Sequence, residues 1–417
     1  PTVFEKAERP GGMLLNGIPG FRLEKDVVQA EIDILREMGV EFRCGMEVGR
    51  DVTIAQLREQ GYQGFYLAIG AQGGRNIGVP GEDAQGVLTG IDFLREVNLG
   101  HGPGLSGETI VIGGGNVAVD VARTAVRVGS GAVTMVCLES RDIMPAAADE
   151  VAEAEHEGIL VLNGWGPKEI VTENGRVTGV VFKKCTRVFD AEHRFSPQYD
   201  ETQLLRVDCA NVLLSVGQSI QWGDLLQGTK VVLNRNGTVQ ADALTCQTAE
   251  PDIFVGGDVL TGPKFAIDAI AAGKEGAISL HRHVHPGQTL TLGRDRRHHV
   301  ALDKENLRLE DGSWDRSARQ QPGYNAAMAK TFGDARVTFT EAQVRKETAR
   351  CLSCGATKVD EYLCVGCGLC TTKCGFEAVT LKKSHDWQAG AFETMPIKVA
   401  QHVVKKVGKI VAKPFVR

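Results

Sequence analysis

The chain has 417 residues, enough for two or three domains with substantial cores, and 47 basic against 52 acidic residues leave a net charge of −5. No global basic field recommends nucleic acid as a partner, and no apolar run reaches bilayer-spanning length. Fifty glycines in a chain that is 42% hydrophobic point to a packed fold with close backbone approaches; no signal peptide is visible, and a cytoplasmic location is expected.

The opening PTVFEKAERPGGML reads as a short strand ending at Glu5, then a turn around Gly11 and Gly12. An acid at such a strand tip holds a ribose in the second half of a dinucleotide-binding βαβ unit, whose first strand and glycine loop should precede it. GFYLAIGAQGG is an apolar strand ending at Gly70, and VLLSVGQSIQ repeats that form up to Gly217, like exits from two related nucleotide-binding domains. Between them, ETIVIGGGNVAVDVARTAVRVGSGAVTMVCLES carries Gly113, Gly114, Gly115, Asn116, Val117 and Ala118 in GxGxxA spacing. A β-rich run precedes this loop, a helix with Val119, Ala122 and Val126 on one side follows it, and the next strand ends at Glu139. Strand, loop, helix and an acid about 20 residues on make the full dinucleotide fingerprint. The glycines admit the pyrophosphate, the helix N-terminus offers amides, and Ala118 permits close helix packing. A glycine-rich turn without a ligand is the alternative. In PDIFVGGDVLTG an apolar strand runs into Gly256, Gly257 and Asp258, ahead of a helix marked by Ala266, Ile270 and Ala277. Asp258 suits ribityl hydroxyls, and the helix N-terminus would face a flavin's electron-rich edge; a simple capping role is the alternative.

Cys44, Cys137, Cys185, Cys209 and Cys246 are scattered, form no CxxC pair and read as core residues, which argues against disulfide chemistry beside a flavin. Residues 286–345 are charged and read as a surface-hugging connector, with a capping-box helix starting at Thr340. Six cysteines follow: Cys351, Cys354, Cys364, Cys367, Cys370 and Cys374. The last four stand in the CxxCxxCxxxC spacing that wraps successive thiolates around a 4Fe-4S cube, although Gly375 replaces the usual proline. Zinc on the two CxxC pairs would leave Cys370 and Cys374 unused. One cluster on Cys364, Cys367 and Cys370 is expected, its fourth ligand open. A second cluster would need non-cysteine or partner ligands. The tail from Ile397 has six basic residues and no acid at roughly helical apolar spacing, which suits docking on protein better than membrane contact.

Together the blocks ERPGGMLLNGIPGFRLEKDVV, GVPGEDAQGVLTGIDFL, GGGNVAVDVA, MPA and FVGGDVLTGPKFAIDAIAAGKEGA resemble the glutamate synthase small-subunit family. Its relatives include the N-terminal half of dihydropyrimidine dehydrogenase and NADH-dependent ferredoxin:NADP reductases. The resemblance covers about residues 1–285 and implies an α/β fold with two Rossmann-like dinucleotide-binding domains. The FAD domain would be discontinuous, 1–97 and 250–285, and incomplete at its N-terminus; the NAD(P) domain would span 104–220. A ferredoxin-like domain (346–383) and a basic tail (384–417) would follow. It also implies that Glu5 binds the adenosine ribose of FAD, Gly11 and Gly12 lie near its phosphates, and the Val48 backbone meets adenine. Gly257 and Asp258 would contact the ribityl chain, with Phe265 and Ala266 beside the ring and Gly70 in the exit loop nearby. NADP-using members carry an Arg-Arg pair five and six residues before the methionine of MPA. Leu138 and Glu139 stand there, so NADH is expected over NADPH, with Arg141 as a cation that could turn toward a phosphate.

The function expected from these parts is electron transfer between NAD(H) or NADP(H), FAD and a 4Fe-4S cluster, to or from ferredoxin or a partner subunit of a larger redox complex. The alternative is a non-catalytic wire or assembly subunit. No particular catalytic residue is indicated.

Overall fold

The computed structural model describes residues 1–294, 317–351, 364–373, 379–382 and 395–411. They fall into two compact units, one holding the residues up to 347 and the other those from 348 onward.

The first unit opens with strand β1 (Thr2–Glu5), short helix α1 (Gly12–Asn16), helix α2 (Lys25–Glu37) and strand β2 (Glu41–Cys44), which runs parallel to β1. Leu15, Val28 and Ile32 form a small core here. Helix α3 (Ile54–Glu59) starts at a reciprocal cap: Gln56 N donates to Thr53 Oγ1 at 3.1 Å and Thr53 N donates to Gln56 Oε1 at 2.9 Å. Strands β3 (Phe65–Leu67), β4 (Gly73–Gly74) and β5 (Val87–Thr89) lead to helix α4 (Gly90–Asn98).

The chain then alternates through β6 (Thr109–Ile112), α5 (Asn116–Arg127), β7 (Val133–Cys137), α6 (Ala148–His156) and β8 (Leu160–Asn163). It leaves for an antiparallel meander of β9 (Trp165–Glu173), β10 (Arg176–Phe189) and β11 (Phe195–Asp208), and returns as β12 (Asn211–Leu214). The parallel strands form one sheet in the order β5-β12-β6-β7-β8. Burial on both faces accounts for the near-continuous apolar runs TIVI and VTMVC. Val119, Ala122 and Ala125 of α5 pack with Val111 and Met135 on one face, and Val180 and Phe182 of the meander pack with Ile110 and Ile112 on the other. Val87–Thr89, assigned by sequence to the flavin half, hydrogen-bond to β12 in this sheet. Because β7 lies to one side of β6 and β12 to the other, the strand order reverses at β6, and such switch points hold ligands at the strands' C-terminal ends.

Completing the first lobe, β13 (Gln218–Ser219) pairs with β4, and β14 (Ile253–Val255) runs parallel to β3 ahead of α7 (Asp258–Thr261) and α8 (Ala266–Val284). Ile54, Leu67, Val239, Ile253 and Val255 share its core. Among the described residues β1–β2 and β3–β14 remain two separate ribbons. The hairpin of β15 (Gly323–Tyr324) and β16 (Arg336–Val337) follows, and Arg127 Nε donates to Thr331 O at 2.6 Å. Helix α9 (Glu341–Ala349) begins at the expected Thr340–Gln343 cap. The second unit supplies α10 (Leu369–Lys373) and α11 (Met395–Val411). No helix among the described residues is long and apolar enough to cross a membrane.

Candidate functional site

The switch point is built without side chains at its floor. A Cβ on Gly113 would stand 2.4 Å from Ser215 O and 3.2 Å from the Ala118 Cβ, so the loops after β6 and β12 touch directly. A Cβ on Gly114 would stand 2.7 Å from Glu139 Oε2 and 3.0 Å from the Cys137 Cβ. The carboxylate at the end of β7 therefore lies beside the glycine loop, where it can accept from a ribose hydroxyl. Gly115 caps α5, whose first amides lack intrahelical acceptors and can donate to a pyrophosphate.

Asn116 holds a neighbouring loop with its side chain. Its Oδ1 accepts from Ala147 N at 2.8 Å and Gly114 O accepts from Ala146 N at 3.1 Å, which folds the Met144–Ala147 loop over the glycine loop. Val117 packs on the core below. Arg141 is engaged by Glu155 at 2.8 Å, an exposed pair. Two residues that no motif marks, Asn163 and Gly164, hold the strand end: Asn163 Nδ2 and Gly164 N donate to Glu139 O at 3.0 and 3.1 Å. Only their place at the end of a neighbouring strand could have found them. Burial first, then Glu139, pushes the Cys137 thiol up to about 11, and burial pushes Cys209 up to about 12. Both are inert core thiols.

In the other lobe the ends of β3 and β14 meet. Gly70 has φ +67, and a Cβ there would face Asp258 Oδ2 at 3.8 Å; Gly257 caps α7 at φ +68. Asp258 Oδ1 accepts from Lys264 N at 3.1 Å. Phe265 and Ala266 are exposed at the start of α8, where Asp268, unmarked in the sequence reading, caps the helix by accepting from Phe265 N at 3.2 Å. Gly12 approaches the same loop, since its Cβ would lie 4.0 Å from Gln72 Nε2, and Gly11 precedes it at φ +137. Glu5 shapes its own turn, Oε1 accepting from Ala7 N at 2.8 Å, and Val48 forms a bridge with Val52 over the lobe's core. Glu5 and Asp258 each keep one carboxylate oxygen without a hydrogen bond among the described residues, an acceptor chemistry that fits the hydroxyls of FAD.

In the second unit Cys351, Cys364, Cys367 and Cys370 are exposed free thiols, while Cys354 and Cys374 lie outside the described residues. Gly366 and Gly368 take φ +66 and +78, the tight turns that close thiolate spacing on a cube demands. Among the described residues no three metal-ligating side chains are gathered.

Comparison with known proteins agrees with this division. Residues 46–273 match the pyridine nucleotide-disulphide oxidoreductase family and residues 357–380 the 4Fe-4S binding domain. The chain is 32% identical to the NADP(+)-dependent formate dehydrogenase subunit beta of Moorella thermoacetica, over 85% of this chain and 51% of that one. It is 31% identical to the NAD-dependent dihydropyrimidine dehydrogenase subunit PreT of Escherichia coli (68% and 62%) and 33% identical to the glutamate synthase (NADPH) small chain of Halomonas elongata (66% and 61%). It thus spans about half to three fifths of these relatives' lengths. Among solved structures, Mycobacterium tuberculosis FprA in complex with NADPH matches at TM-score 0.58 and 19% identity over 68% of this chain and 77% of that one, a likeness of fold. The glycine loop, the Gly257-Asp258 turn and the matched span together make the chain a member of the pyridine nucleotide-disulphide oxidoreductase family, followed by a 4Fe-4S binding domain.

Proposed function

We propose that the chain is the nucleotide-oxidising, electron-distributing part of a larger redox complex. NAD(P)H lies in the crevice at Gly113 and Ser215, its pyrophosphate on the start of α5. FAD is held through Glu5, Gly12, Gly70, Gly257 and Asp258. When bound, the flavin takes up hydride and the cluster carries single electrons to or from a ferredoxin or a partner subunit. The carrying observation is the Glu139 carboxylate beside Gly114. A carboxylate there accepts from a free 2′-hydroxyl and repels a phosphate, which favours NADH over NADPH, and Arg141 is engaged by Glu155. One cluster sits on Cys364, Cys367 and Cys370, its fourth ligand open. The lobes follow the divisions 1–97 with 250–285 and 104–220, with Val87–Thr89 joining the latter.

Anaerobically purified protein should show flavin absorbance and reduce a one-electron dye with NADH at a higher kcat/KM than with NADPH. Glu139→Arg should raise NADPH use and lower NADH use. Absence of both flavin absorbance and nucleotide-dependent dye reduction would overturn the reading in favour of an assembly subunit.

A further inference from the structure

The two lobes of the first unit meet at a short stretch of chain that buries charge between them. Phe21 and Arg22 lie in the loop between α1 and α2, on the lobe assigned to flavin. Phe21 is 3% exposed, its ring centre 4.0 Å from the Arg127 guanidinium and 4.7 Å from that of Arg123, both on α5 of the nucleotide lobe. Arg22 Nη1 donates to both Asp120 oxygens at 2.9 Å, and Arg22 Nη2 donates to Glu150 Oε1 at 2.5 Å, so one side chain spans α5 and α6. Asp120 is 7% exposed and stands about one helical turn beyond Asn116, the first residue of α5. Arg123 and Arg127 are themselves held by Glu157 at 2.8 and 2.6 Å. The hairpin of β15 and β16 touches both sides: Thr331 O accepts from Arg127 Nε at 2.6 Å, and a Cβ on Gly20 would stand 3.2 Å from Phe332 O. Burial makes such an ion pair a poor source of net stability, but neither partner can be left alone, so its geometry is held.

We propose that Arg22 is a positioning residue for hydride transfer: through Asp120 and Glu150 it latches the helix that receives the nucleotide to the lobe that holds the flavin, and the β15–β16 hairpin straps the latch. The inference rests on the nucleotide and flavin reading above. Arg22 acts on neither cofactor directly. It acts through α5, a rigid element whose first amides face the pyrophosphate, so a shift at Asp120 is carried to the glycine loop. Reacting atoms must approach to about 3–3.5 Å, and a misplacement of about 1 Å costs about a hundredfold in rate. The latch therefore sets how fast hydride passes. How tightly the nucleotide binds is left to the glycine loop and Glu139, which belong to the nucleotide lobe alone.

The test is stopped-flow reduction of the flavin by NADH in the full chain, with calorimetric titration of 5′-AMP and hydrogen–deuterium exchange on the same samples. Arg22→Gln should slow flavin reduction at saturating NADH about tenfold or more, leave 5′-AMP affinity and flavin content native, and quicken exchange in residues 19–23 and 323–337. Asp120→Asn, which keeps the side-chain shape, should do the same. The double variant should be no slower than the slower single one, because both changes break one contact. If Arg22→Gln fails to fold, Asp120→Asn carries the same expectations. A native reduction rate despite quickened exchange, additive losses in the double variant, or a fall in 5′-AMP affinity parallel to the rate overturns the latch and leaves the nucleotide reading standing. Native protein that neither binds 5′-AMP nor passes electrons from NADH to its flavin overturns both.

Discussion

Asp120 sits where the loop after α1 meets α5. Arg22 Nη1 donates to both of its oxygens at 2.9 Å, and Arg22 Nη2 donates to Glu150 at 2.5 Å. Burial pushes the Asp120 carboxyl up to about 6 against the pull of Arg22, and Glu150 adds to the rise. In the unfolded chain the group titrates near ~4, so the folded state holds its proton to higher pH. Its contribution to stability is therefore complete below about 4 and lost as pH rises through about 6. Asp120→Asn should flatten the fall in Tm across that window; an unchanged slope would place the titration elsewhere. Next to this cluster Phe21 stacks against the guanidinium groups of Arg127 and Arg123, 4.0 and 4.7 Å from its ring centre. None of it was legible in the sequence, because Arg22 and its acids are separated by 98 and 128 residues. Glu139 was legible for the opposite reason: its strand, the loop it faces and the intervening helix are contiguous.

At the scale of elements, α8 shows what apolar periodicity misses. Ala266, Ile270 and Ala277 marked the helix, yet all three are exposed and its buried positions are Gly276 and Ser279. The reason is the close approach of Tyr66 on β3: a Cβ on Gly276 would lie 2.0 Å from its ring and one on Gly256 1.8 Å from its hydroxyl. Gly276→Ala should cost about 1–3 kcal/mol by overpacking, measurable by denaturant unfolding. Among the described residues the Tyr66 hydroxyl has no hydrogen-bond partner, and burial pushes it up to about 12. Tyr66→Phe, which sheds that unpaired group and keeps the ring, should be neutral or stabilising by up to about 1 kcal/mol. The meander was overlooked although Asn174-Gly175, both at positive φ between alternating runs, carries a hairpin signature. In the cysteine run, Cys367→Ser should abolish the low-temperature electron resonance signal of a reduced 4Fe-4S centre while bound FAD stays in place, because the ligand spacing is confined to its own unit. A full-strength signal would refute the ligand.

Across the whole molecule the two lobes of the first unit are stabilised unequally. The nucleotide lobe has a five-stranded parallel sheet buried on both faces, and its β6–α5–β7 unit could be read from local patterns. Among the described residues the flavin lobe has two parallel ribbons of two strands, and its pairing of β3 with β14 joins residues far apart in the chain. Hydrogen–deuterium exchange should therefore label the amides of β1 and β3 well before those of β6, β7 and β12; equal protection would show that the ribbons are as firmly held as the sheet. The unequal lobes have a thermodynamic consequence. A ligand that binds only the folded state stabilises it by RT ln(1 + [L]/Kd), and that gain is largest in effect where intrinsic stability is least. Flavin occupancy would then set the melting temperature of the lobe that carries Asp258, so loss of FAD would register as unfolding at one end of the protein while the nucleotide-binding sheet at the other remained intact.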